Sequence, residues 1–158
     1  MKRRFNTTGI CYADEHYMVD LAARLTKMKE MVDGGKYFVI NRARQYGKTT
    51  TLHALGAYLK EEYVVVLMDF QKMGSSSFAD EHIFSKTFFQ HFWKIAGEDF
   101  RSNIENIDDI YEQLKCADTL NELFLGFSTL CERSDKRVVL IIDEVDSASN
   151  NQVFLDLL

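Results

Sequence analysis

Apolar residues recur with two different periods along this chain, and the periods alternate. Residues 1–16, MKRRFNTTGICYADEH, show no steady period and predict an irregular arm. Over residues 17–32, Met18, Leu21, Leu25, Met28 and Val32 return every three or four positions, the stripe of an amphipathic helix. The Asp-Gly-Gly at 33–35 supplies its stop. Residues 37–40, YFVI, form a short β-prone run. After Gly47 a second helix is predicted, with Leu52, Leu55 and Leu59 sharing one face.

The same alternation continues to the end. YVVVLMDF at 63–70 is a nearly unbroken apolar run, as expected for a strand covered on both faces. QKMGSSS loops away from it, and Ile83, Phe84, Phe88, Phe92 and Trp93 mark a helix over 78–95. The polar stretch GEDFRSNIENID then leads to one further helix over 110–131, lined by Ile110, Leu114, Ala117, Phe124, Phe127 and Leu130. RVVLIID at 137–143 is the third strand candidate, and NNQVFLDLL opens another helix. Each interval between strands is long enough for a crossover. The pattern therefore predicts an α/β fold with a mostly parallel sheet flanked by helices.

Composition narrows this picture modestly. A chain of 158 residues suits one domain, and no repeat, linker or low-complexity tract divides it. An apolar content of 46% is that of a globular chain, and the absence of proline argues against disordered linkers or a Pro-rich recognition tail. A formal charge of -5 argues against a dedicated nucleic-acid binder. Cys11, Cys116 and Cys131 are odd in number and widely spaced, which suits incidental thiols in a reducing compartment. No run approaches a membrane span and no signal-peptide core follows MKRRF, so a cytoplasmic location is expected.

Two motifs carry chemistry. RARQYGKT at 42–49 lies between a strand candidate and a helix and ends in Gly47-Lys48-Thr49, the close of a phosphate-binding loop. Backbone N–H groups at a helix start hold phosphate oxygens, and Gly47 removes the Cβ that would obstruct them. Lys48 would sit at the β- and γ-phosphates, and the Thr49 hydroxyl would ligate Mg²⁺. Arg42 stands where the general pattern has its first glycine, a position that turns the loop but supplies no catalytic group. The nucleotide-contacting set is then Arg42, Ala43, Arg44, Gln45, Tyr46, Gly47, Lys48, Thr49 and Thr50, with Gln45 and Tyr46 contributing mainly backbone N–H groups.

The second motif is VVLIIDEVD at 138–146. A buried strand ending in Asp143 and Glu144 presents both acids at the carboxyl edge of the sheet, where open α/β folds bind ligands. Asp143 would hold Mg²⁺, and Glu144 would polarise the attacking water as general base. Neither acid is expected to be deeply buried, since an unpaired carboxylate in apolar surroundings is costly. A chance Gly-Lys-Thr before a helix, or a solvated acidic turn after a strand, is the plain alternative for either motif alone. Their joint occurrence in the expected order favours a P-loop NTPase that uses ATP and Mg²⁺.

With both motifs in place, the chain resembles the AAA-ATPase-like proteins of anaerobic bacteria along essentially its whole length. The resemblance rests on the arm RRFNTTGICYADEHYMVD, the loop NRARQYGKTTTL and LIIDEVDSASNNQVFLDLL. In that family the loop also begins with arginine, which accounts for Arg42. The resemblance implies an arm near the nucleotide base, making Tyr17 a candidate base contact. It also implies a partial ATPase domain over 1–158, continued by the remainder of the fold and often by a restriction-endonuclease-like domain. The family's further strand lies between the phosphate-loop strand and the Asp-Glu strand, so a chain ending at FLDLL is expected to be truncated, with the isolated fragment nearly inactive.

The leading functional expectation is ATP hydrolysis that drives or regulates an attached effector. A nucleotide-binding switch with little hydrolysis and a small-molecule phosphotransferase are the rivals. Glu144 favours the first, and no motif marks a second substrate pocket. Asp69 at the end of the 63–70 strand reaches toward the site edge, with a structural role the commoner outcome. Arg44 either touches phosphate or stays exposed or ion-paired. His16, His53, His82 and His91 lack metal-ligand spacing. FFQHFW at 88–93 is better read as the core face of a helix than as a stacking platform for bases.

Overall fold

The computed structural model describes residues 4–5, 15–17, 19–41, 46–101 and 104–148. The chain divides into two compact units, Met1–Lys60 and Glu61–Leu158. Among the described residues the protein is α/β, with five α-helices and a two-stranded parallel sheet.

In the first unit, helix α1 is Ala22–Asp33, five residues shorter at its start than its apolar stripe suggests. The residue before its N-cap Leu21 meets the first helical N–H, with Asp20 Oδ1 accepting from Ala22 at 2.9 Å. Two bonds close the other end, Gly35 N–H to the Val32 carbonyl and Lys36 N–H to the Met31 carbonyl. That is the Schellman pattern, and Gly35 supplies the left-handed residue it needs, with φ 63°. Helix α2 is Lys48–Leu59; it packs on α1 and buries Thr51, Leu52, Leu55 and Leu59. Between these helices, residues 37–40 have the alternation of a strand, with Tyr37 and Val39 exposed and Phe38 and Ile40 half-buried. No ladder forms there among the described residues, and the predicted strand is not assigned as one. A β-prone run becomes a strand only when a neighbour takes its N–H and C=O groups.

The second unit is built on β1, Val64–Asp69, and β2, Val138–Asp143. They pair in parallel from Val64 opposite Val138 to Asp69 opposite Asp143, and the elements named between them among the described residues are helices. Helix α3 is Glu81–Arg101, broken at Gly97, whose φ of 76° lies outside the helical region. Helices α4, Ile107–Lys115, and α5, Leu120–Glu132, replace the single helix expected over 110–131. The break is a capping box. Thr119 Oγ1 accepts the Glu122 N–H, and the Glu122 carboxylate accepts the Thr119 N–H in return. Thr-x-x-Glu at 119–122 announces that start in the sequence, inside a stripe continuous enough to hide it.

The core of this unit is aromatic. Phe84, Phe88, Phe89 and Phe92 of α3 are all buried, with Phe70 and Phe78 beside them and Leu114, Leu123 and Leu130 from α4 and α5 in the same cluster. Phe92 meets Phe127 edge-on at 4.6 Å, a favoured geometry for aromatic pairs. FFQHFW is therefore a core face, as its period suggests. Glu81 ties the start of α3 to that of α5 through the Leu120 N–H at 2.6 Å.

Helices α4 and α5 approach closely at Gly126. A Cβ there would lie 2.5 Å from Leu114 Cδ2 and 2.8 Å from its Cγ, and Leu114 is fully buried. Alanine gains roughly 1 kcal/mol of helix propensity, whereas overpacking costs roughly 1–3 kcal/mol. Gly126→Ala is accordingly expected to lower the urea midpoint, and a raised midpoint would show that Leu114 yields without strain. Ser85 on α3 poses the reverse case. Its hydroxyl is buried with no hydrogen-bond partner among the described residues. A buried unpaired hydroxyl costs roughly 1–3 kcal/mol, so Ser85→Ala is expected to raise the same midpoint. A drop would reveal a partner that the hydroxyl holds.

On the surface, Asp118 receives His82 Nδ1 at 3.0 Å and Lys86 Nζ at 3.2 Å. The Lys86 hydrogen bond leads in holding its pKa below the usual carboxylate value, with the Lys86 and His82 charges adding to it. A depressed carboxylate contributes stability above its unfolded pKa and loses it as pH falls through the lower folded value. Exposed pairs contribute little. Asp118→Asn is thus expected to flatten only a shallow part of the acid-side loss in urea midpoint, below about pH 4. An unaltered pH profile would show that the cluster contributes nothing.

Candidate functional site

The candidate residues fall in both units, and each half has its own local geometry. In Met1–Lys60 the phosphate-loop residues Arg42, Ala43, Arg44 and Gln45 lie outside the described residues. Tyr46 is exposed, and Gly47 precedes α2 with φ 71° and ψ 31°. This left-handed conformation disfavours any residue with a Cβ, even though open space surrounds the position where one would stand. Glycine is needed at 47 for its backbone.

Lys48, Thr49 and Thr50 form the first turn of α2 and are half-buried. The opening N–H groups of a helix have no partner within it, and the aligned peptide dipoles add positive potential there. Thr51, not singled out from the sequence, holds the turn in shape. It is buried, and both its N–H and its hydroxyl donate to the Gly47 carbonyl, at 2.9 Å and 2.8 Å. The Thr-Thr-Thr run at 49–51 is the one sequence signal for it, since a threonine four residues after the carbonyl can bond back to it. Tyr17 keeps an exposed ring, 4.8 Å from that of Phe5, and its N–H donates to the Arg4 carbonyl at 3.1 Å.

In Glu61–Leu158 the acids stand at the carboxyl ends of β1 and β2. Asp143 is 4% exposed, contrary to the expectation that neither acid would be deeply buried. A buried carboxylate persists when it is hydrogen-bonded, and Asp143 Oδ1 accepts the Glu144 N–H at 2.9 Å. Glu144 is half-buried and has φ 55°, a left-handed conformation rare outside glycine, asparagine and aspartate. Such a conformation costs roughly 1–2 kcal/mol and lasts only where its surroundings impose it. The bond back to Asp143 contributes to imposing it.

Asp69 lies directly across the ladder from Asp143. Its Oδ1 accepts the Gln71 N–H at 3.0 Å and its Oδ2 lies 3.5 Å from Lys72 Nζ. Asp69 therefore caps the 3-10 turn Phe70–Lys72, which packs against the turn Val145–Ala148 that follows Glu144.

No group of three His, Cys, Asp or Glu side chains among the described residues is arranged to hold a metal ion. Cys116 and Cys131 are free thiols, and desolvation followed by the Glu132 charge pushes the Cys131 thiol up, away from a reactive thiolate. None of the described helices is long and apolar enough to cross a membrane. No model of a known family, curated protein or solved structure matches the chain. The fold itself defines an α/β protein with a parallel strand pair that ends in acids.

Proposed function

We propose that the chain is the nucleotide-handling part of a P-loop ATPase, binding ATP with Mg²⁺ and hydrolysing it to drive or regulate an attached effector. The observation that carries this reading is the start of α2, where a left-handed Gly47 leads directly into Lys48 and Thr49. The fit to a phosphate group is local and chemical. A residue with no Cβ, a helix N-terminus and a lysine in its first turn together form an anion-binding element. The carboxylates of Asp143 and Glu144 at a strand end supply the complementary acid chemistry.

Each unit offers one candidate ligand for Mg²⁺, the Thr49 hydroxyl in the first and the Asp143 carboxylate in the second. That ion is commonly bound by one or two protein groups together with phosphates and water. Bound with ATP, Mg²⁺ would supply charge neutralisation for the phosphates. Lys48 would add a positive charge at the phosphates, and Glu144 would accept the proton of an attacking water. Hydrolysis is favoured over a pure switch by that glutamate, which a protein that only senses nucleotide does not need.

Titration calorimetry with ATP, in the presence and absence of Mg²⁺, tests the binding half. Saturable binding that tightens with Mg²⁺ is expected, and no heat at millimolar ATP would overturn the assignment. Free phosphate as the released product separates hydrolysis from transfer to an acceptor.

A further inference from the structure

We draw no further inference here: the strongest candidate, the carboxylate cluster of Asp69, Asp143, Glu144 and Asp146 beside Lys72 at the carboxyl edge of the two-stranded sheet, belongs to the site already described and has no second feature that points to a ligand of its own.

Discussion

Lys48→Ala is expected to weaken ATP binding by roughly 10- to 100-fold and to abolish turnover. A charge-assisted hydrogen bond contributes roughly 1.5–3 kcal/mol, and removing one such contact from phosphate gives that range. Two features make the variant interpretable. Alanine is the best helix former, so α2 keeps its first turn. The Gly47 carbonyl is held by Thr51, which the substitution leaves in place. A cooperative melt accompanied by a calorimetric titration shifted to roughly 10- to 100-fold higher ATP is the predicted outcome. Lys36→Ala and Lys60→Ala are the controls, since both lysines are exposed and lie outside the loop. A near-unchanged ATP affinity in Lys48→Ala would remove the phosphate-loop reading.

The adjacent acids should separate binding from chemistry. Glu144→Gln is expected to retain ATP affinity while slowing hydrolysis about 10²- to 10⁴-fold, the usual range for loss of a general base. Glutamine keeps the side chain's length and pays the same left-handed backbone cost, so the turn should persist. Asp143→Asn is expected to act differently, reducing the tightening of ATP binding by Mg²⁺. Asparagine preserves an oxygen that can accept the Glu144 N–H, so the buried position keeps its backbone bond while losing its charge. Affinity measured with and without Mg²⁺, together with phosphate release, distinguishes the two variants. A Glu144→Gln protein that hydrolyses ATP at the parent rate would move the base to another residue.

Much of the local architecture was legible before any coordinates. The stripe through Leu52, Leu55 and Leu59 marks the buried face of α2, and the apolar runs at 64–69 and 138–143 are β1 and β2 within a residue of their expected ends. Misreadings came where a strong periodic signal concealed a local one. The stripe over 110–131 runs through two helices because a capping box can sit within it without disturbing the apolar spacing. At α1 the period alone would begin the helix earlier than Ala22, whose N–H is met by the local acceptor Asp20.

What the sequence by itself determined is the set of relations that one segment can satisfy alone. These include the apolar period of each helix, the Asp-Gly-Gly stop after α1, a glycine where the chain must turn left-handed into α2, and acids at the end of an apolar strand. Tertiary structure decided whatever needed a second segment. Only the ladder sets Asp69 opposite Asp143, because register belongs to a pair of strands. Only packing brings Leu114 against Gly126, since sequence spacing does not encode the distance between two helices. The burial of Asp143 is likewise a property of its surroundings, bearable because a neighbouring N–H meets it. Residues 37–40 show the converse: their alternation is that of a strand, but backbone hydrogen bonding, which makes a strand, requires a partner that alternation cannot supply.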